Sequence, residues 1–402
     1  MNTYISLFVF LIVMVMVTPA GAQIAVQGDI VYTMDGEPIE DGIVLINGRT
    51  IERVGPAAEI TIPGEYTVYS GAFVMPGIID ARSVVGLAGM FNYEHDQDQL
   101  ERSNPVQPEL RAIDAYNPRE DLIEYLLGLG VTTIHTGHAP GALASGQTMV
   151  VKTGGRYADA IIDSTKMVAF TLGPRVTANF NSPGTRSKSV AMLRSEFLKA
   201  QEYEQRRNNT DADRRPSRDL KRETLADVLN GELTALITAH TATEILAALR
   251  LADEFGFNLV LAGASEAYLV IDEIREANIP VIIHPTMIRP FGDARNASFE
   301  TAMKLHEAGI NVVFQSGYES YVPKTRVVHF EAAIAVANGL PFGQGLASVT
   351  IDTARLLGID SRVGSLEPGK DADIVIFDGD PFEYLTNTQV VIVNGEILKE
   401  RE

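Results

Sequence analysis

The chain has 402 residues, 46% of them hydrophobic and 21% charged, which suits one large α/β domain with a small accessory domain and excludes a disordered chain. A formal net charge of −19 argues against nucleic acid or an anionic membrane surface as partner. The absence of cysteine excludes disulfides, thiolate metal ligands and lipid-modified cysteine.

Tyr4–Val17 is an almost unbroken apolar run, short for a membrane span. Ala20-Gly21-Ala22 supplies an A-x-A cleavage site. Residues 1–22 therefore read as a signal peptide cleaved near Ala22, with an uncleaved anchor as the alternative. The expectation is an exported protein, periplasmic or secreted, with no membrane attachment after cleavage. Residues 23–72 alternate short β-rich runs with turn signals at Asp35-Gly36, Asp41-Gly42 and Asn47-Gly48. Residues 359–402 do the same around Asn394-Gly395. Between them, over 73–358, strand-like and helix-like segments alternate, the pattern of a parallel α/β architecture. The strand candidates are Val74–Ile79, Val131–His135, Met149–Lys152, Val168–Leu172, Ala235–His240, Asn258–Leu261, Pro280–His284 and Asn311–Gln315. Eight is the number that a closed (β/α)8 barrel needs.

Helix signals separate these strands. Asn117-Pro118-Arg119-Glu120 offers an N-cap, a first-turn proline and an acidic third residue, ahead of an apolar face of Leu122, Tyr125, Leu126 and Leu129. Thr241 precedes a helix with Ile245, Ala248, Leu249 and Ala252 inward, ended by Gly256. Two stretches are long for loops. Val84–Asn117 is polar and sits where a barrel keeps its active-site loops. Residues 187–229 are a polar, locally basic insertion, read as a solvated helical hairpin over the barrel mouth, with a dedicated anion site as the alternative.

Phe73–Gly86, FVMPGIIDARSVVG, resembles the first barrel strand of the amidohydrolase superfamily, Pro-Gly-hydrophobic-hydrophobic-Asp-x-His-x-His. Arg362 to Asp373, RVGSLEPGKDAD, resembles that family's return into its β domain, and Gly141–Gln147, GALASGQ, matches the imidazolonepropionase-like branch. The resemblance covers the mature chain. It implies a (β/α)8 TIM-type barrel with a small β-sandwich built from both termini. It also implies hydrolysis of amide-type, often cyclic, C–N bonds with one or two divalent metals, typically zinc, which polarise the carbonyl and activate water.

The residue types at the implied ligand positions do not suit that chemistry. The first-strand pair falls on Arg82 and Val84, the fifth-strand ligand on Thr238, the sixth on Gly263, and the eighth-strand aspartate and base on Gly317. Arg82 places a permanent cation where a metal should sit, and valine and glycine side chains ligate nothing. No cofactor is expected on this count. Arg82, Ser83, His135, His138, His240 and His284 are the ligand-binding candidates, for a small anionic ligand. A histidine-only metal site from His135, His138, His240 and His284 is the alternative. Two functions compete: a pseudoenzyme that binds a ligand, an active paralogue or a second copy of itself, and an active exported amidohydrolase with an unconventional histidine site.

Overall fold

Alternation of β-branched residues builds the N-terminal strands β1 (Gln23–Val31), β2 (Ile39–Asn47), β3 (Thr50–Pro56) and β4 (Thr67–Pro76). Ile24, Val26, Val44 and Ile46 enter one apolar cluster, while Ala25, Ile43 and Leu45 enter another on the opposite face. This computed structural model describes residues 23–91, 93–155, 157–209, 211–286, 292–318 and 327–401, so the apolar N-terminal run and its cleavage site lie outside the described residues. Among the described residues no helix is long and apolar enough to cross a membrane.

The barrel region contributes β5 (Ile78–Ser83), β6 (Val131–Gly137), β7 (Ala144–Lys152), β8 (Ile161–Asp163), β9 (Met167–Thr171), β10 (Thr234–Ala239), β11 (Leu259–Gly263), β12 (Val281–Ile283) and β13 (Val312–Phe314). The chain ends with β14 (Ile374–Phe377), β15 (Thr388–Val393) and β16 (Glu396–Glu400). The terminal strands form one seven-stranded sheet, ordered β16-β15-β14-β4-β1-β2-β3. Both ends of the chain meet where β14 pairs antiparallel with β4, Ile374 opposite Pro76. Asn394 and Gly395 both have positive φ, 51° and 74°, the two-residue hairpin that Asn-Gly favours.

The second sheet runs β13-β12-β11-β10-β9-β7-β6-β5, with β8 paired to β7, and gives the mixed α/β, TIM-type barrel. It is nearly closed. β5 and β13 share no ladder; the seam is held at Asp80, whose Oδ1 accepts from Ser316 N at 3.1 Å and whose Oδ2 accepts from the Ser316 hydroxyl. The Pro76-Gly77 step divides what the sequence reads as one strand, Val74–Ile79. Pro76 ends β4 in the terminal sheet, and Ile78 opens β5 in the barrel. Gly77 is required there, because a Cβ would lie 2.0 Å from Thr132 Oγ1.

The third barrel strand departs from the expected parallel architecture. β7 runs antiparallel to both β6 and β9. Only residues 138–143 connect β6 to β7, and a parallel crossover needs a dozen or more. A hairpin is the only outcome, and the strand expected at Met149–Lys152 begins earlier, at Ala144. The first helix also starts later than its cap signal suggests. It spans Asp121–Leu127 with Glu120 as N-cap, the Glu120 carboxylate accepting from Leu122 N at 3.0 Å, while Tyr125 stays exposed. The helix Ala242–Phe255 follows its signals: the Glu244 carboxylate accepts from Thr241 N at 3.1 Å, Ile245 and Ala248 are buried, and Gly256 closes it at φ 74°.

The basic insertion forms a hairpin of Arg186–Arg207 and Leu220–Leu229. It lies along the flank of the barrel, not over its mouth. Phe197 anchors it, with ring centroids 6.0 Å from Phe170, 5.1 Å from Phe255 and 5.4 Å from Phe257. Aromatic burial outweighs the polar composition that suggested a solvated lid.

Candidate functional site

The mouth of the barrel is made by the C-terminal ends of its parallel strands and by the N-terminal end of β7, because that strand is reversed. The long loop folds over it: Val106 bridges Ala144, Ala144 N donates to Pro105 O at 3.1 Å and Gln147 N to Leu110 O at 2.7 Å.

Arg82 does not present its charge to this mouth. The residue is 2% exposed. Nη1 donates to the Ser83 carbonyl at 3.0 Å and Nη2 donates to the His138 carbonyl. Its backbone N–H donates to Asp80 Oδ1 at 3.1 Å. Burial pushes the guanidinium down to about 10, opposed by Tyr318 and Asp80. Burial likewise pushes the Asp80 carboxyl up to about 6, against the hydrogen bonds from Ser316 and Arg82. Arg82 thus ties β5 to the β6–β7 hairpin.

The histidines divide by environment. His135 points between strands. Its Nδ1 lies 2.7 Å from the Ala81 carbonyl, which can only accept, so Nδ1 carries the proton. Nε2 then accepts from the Thr148 hydroxyl at 2.6 Å, leaving no lone pair for a ligand. Burial and Arg82 hold this ring at about 3. His138 packs on Gly146, where a Cβ would lie 2.3 Å from its Cδ2. Burial with Arg82 holds it at about 4, opposed by the Gln99 backbone, and among the described residues Ser83 Oγ and Ser145 Oγ are buried without a hydrogen-bond partner. His240 and His284 sit together on the other side. His240 Nδ1 lies 2.8 Å from Ser265 Oγ and Nε2 lies 3.4 Å from the Tyr318 hydroxyl. Burial pushes His240 down to about 4, with Asp293 acting in the opposite sense and Arg175 and His284 adding to the depression. The His284 ring lies 5.5 Å from the Tyr318 ring.

Gly263 is not an empty place. Its φ is +82°, and a Cβ there would lie 2.7 Å from His240 Cε1 and 2.9 Å from Nε2. The imidazole of His240 fills the volume that any side chain at 263 would need. Gly317 also has a positive φ, 91°, and its N–H donates to Arg82 O at 3.4 Å. Thr238 is buried in β10, its carbonyl accepting from Leu172 N at 2.9 Å. Val84 joins Ala88, Ala139 and Tyr318 in a small apolar cluster backed by Leu100.

Tyr318 is the residue that sequence reasoning missed. It follows Gly317 directly, and an aromatic immediately after a strand-end glycine was the available signal. It plugs the mouth between Val84 and the two histidines. Outside it lies a cavity of about 490 Å³, lined among others by Tyr318, Arg175, Arg102, Asn179, Gln99 and Glu94. The Arg175 guanidinium lies over the Tyr318 ring, 5.1 Å from its centroid. The cations facing this cavity are therefore Arg102 and Arg175, and Arg82 is not among them.

The amidohydrolase family profile matches residues 136–398, well over half of the chain. The chain belongs to the amidohydrolase family. The "Amidohydrolase tasK" of Hapsidospora irregularis is 26% identical over 383 residues, which cover 85% of this chain and 38% of that protein. The chain thus spans well under half of that relative's length. The imidazolonepropionase of Solibacter usitatus is 24% identical over 373 residues, covering 86% and 87%. The crystal structure of an amidohydrolase from Thermotoga maritima superposes with a TM-score of 0.87 at 28% identity, covering 94% of this chain and all of that one.

The metal implied by the resemblance can be tested against these residues. Among the described residues no three His, Asp or Glu side chains are grouped as a metal requires. His135 has both nitrogens committed, so His135, His138, His240 and His284 do not form one donor set. The apolar Val84–Tyr318 cluster and the His240 ring occupy the mouth. The residues present do not fit a divalent metal of the amidohydrolase type.

Proposed function

We propose that this amidohydrolase-family protein is an exported pseudoenzyme, which keeps the barrel and binds a small anionic ligand at its mouth without metal-dependent hydrolysis. The observation that carries the reading is the His240 ring in the space of residue 263. A ligand side chain could not be restored there without moving the ring, so this is more than one substitution away from a metal site. Supporting it, Arg82 is spent on two carbonyls, and Tyr318 with Val84 makes the interior of the mouth apolar. Arg102 and Arg175 give the outer cavity its affinity for an anion.

Hydrolysis of amide-type bonds without a metal or a positioned base loses the main source of its rate. The test is metal analysis of the protein purified from its native compartment, alongside hydrolysis assays on cyclic and linear amides with and without added zinc. The expected result is metal well below one equivalent and no metal-dependent turnover. Stoichiometric zinc, lost together with hydrolysis in His240→Ala and His284→Ala, would instead establish an active enzyme with an unconventional histidine site. N-terminal sequencing of the mature protein tests export, with Gln23 as the expected first residue.

A further inference from the structure

The helical insertion is the strongly basic stretch of an acidic chain. Residues 186–222 hold eleven Lys and Arg against six Asp and Glu, while the whole chain has 33 against 52. Most of these cations pair with a carboxylate, among them Arg194 with Glu254, Arg214 with Asp211 and Arg222 with Asp219. Three are gathered differently. Arg207, Arg215 and Arg218 line one cavity of about 510 Å³ together with Tyr203, Asn208 and Glu223.

Glu223 is the carboxylate in that lining, and it is 8% exposed. It works as an anchor. It accepts from Arg218 Nη2 at 2.5 Å and Nε at 3.1 Å, lies 3.8 Å from Arg207 Nη1, and accepts from the Tyr203 hydroxyl at 3.0 Å. The Tyr203 oxygen in turn accepts from Asp219 N at 3.2 Å. Arg215 is set by the chain, its Nε donating to the Asn209 carbonyl at 2.8 Å. Asp227 acts on Arg207 electrostatically but does not line the cavity, and Glu204 is tied to Asn230 at 2.6 Å. Among the groups that line this space, three guanidinium groups face one carboxylate, a net charge of +2 that Asp227 tempers from outside the lining.

We propose that this cavity is a binding site for a phosphate-type dianion, separate from the barrel mouth. Two positive charges match a dianion, guanidinium forks match phosphate oxygens, and the Asn208 amide adds a neutral donor. Glu223 and Tyr203 hold two of the arginines before a ligand arrives, which lowers the ordering cost of binding. The volume takes a phosphomonoester, so the phosphate can come from a soluble compound or from a lipid headgroup.

The test is calorimetric titration of the full chain with inorganic phosphate and pyrophosphate, against chloride at equal ionic strength. Saturable binding of the phosphates is expected. Arg207→Gln with Arg215→Gln should weaken it at least tenfold, with the helical circular dichroism signal unchanged. Arg215→Gln alone, which removes only a bond to a carbonyl, guards against misfolding and should weaken binding severalfold. Equal response to phosphate and chloride, or unchanged binding in the folded double variant, would overturn the site. Sedimentation with phosphatidic acid vesicles but not phosphatidylcholine vesicles assigns the phosphate to a headgroup; phosphate binding without sedimentation assigns it to a soluble ligand. Both outcomes uphold the site.

Discussion

Asp80 shows how one side chain can serve the fold at the expense of its own ionisation. It closes the barrel seam through Ser316 and is fully buried, and burial raises its carboxyl to about 6. A folded value above the unfolded one, about 4, means the fold gains from the neutral form. That gain is present below pH ~4 and is lost as pH rises through about 6. Asp80→Asn keeps the Oδ1 acceptor and offers an N–H to the Ser316 hydroxyl. Its effect on stability should be more favourable at pH 7.5 than at pH 4, read from urea midpoints at both values, with the loss of the counter-charge to buried Arg82 offsetting part of the gain. An equal effect at both would refute the assignment. Gly263 is the second such residue. Gly263→Ala meets both the His240 ring and a positive φ, and should cost about 2 kcal/mol or more. In a double-mutant cycle with His240→Ala the steric part should disappear while the backbone part stays.

At the scale of elements, β7 is the informative strand. Its C-terminal residue, Lys152, is fully buried and donates to Asp371 at 2.8 Å, Asp373 at 3.0 Å and Asn394 Oδ1 at 2.5 Å, all at or beside strands of the terminal sheet. Lys152→Met leaves buried Asp373 without its cation and Asp371 with Arg362 alone, and should destabilise the protein by roughly 3–5 kcal/mol, measured by chemical denaturation. Asp371 is depressed: burial raises its carboxyl, but the bonds from Lys152 and Arg362 outweigh that. Its contribution is therefore present above the unfolded pKa and lost as pH falls below it. Seven of the barrel strands were legible in the sequence, because buried strands leave continuous β-branched runs between turn signals, while β5 was merged with the end of β4 and the short β8 was not read. The direction of β7 was not, because a run such as Met149–Lys152 reads the same either way. Only the short link 138–143 carried that information. The site was less legible still. Arg82 bonds to backbone carbonyls of its neighbour and of a residue in a distant hairpin, which leave no trace in side-chain pattern, and the mouth is closed by Tyr318 through packing alone.

The whole molecule carries several buried neutral imidazoles. Burial holds His135 and His329 at about 3 and His138 and His240 at about 4. In the unfolded chain each titrates near 6.5. Stability from these groups is complete above pH ~6.5 and falls as pH drops toward 4, at about 1.4 kcal/mol per pH unit for each histidine that takes up a proton on unfolding. Asp80 opposes this over part of the window with one proton of opposite sign. The expected result is a urea midpoint that drops steeply from pH 7 to pH 5, with net uptake of two to three protons on unfolding. A flat profile would mean that these rings are hydrated or charged in the native state.

The reversal of β7 has a consequence for how the chain tolerates change in length. Nine residues, Ala144–Lys152, run from the mouth to the floor without a crossover helix to absorb a slip. A single inserted residue there would turn every following side chain to the opposite face, taking Lys152 from its carboxylates while also shifting the strand end beneath the long loop. Ten residues inserted between Gly64 and Glu65 would only lengthen an exposed turn between β3 and β4. The same gene would then accept a large insertion at one address and refuse the smallest at another, a contrast that soluble yield of the two variants would show directly.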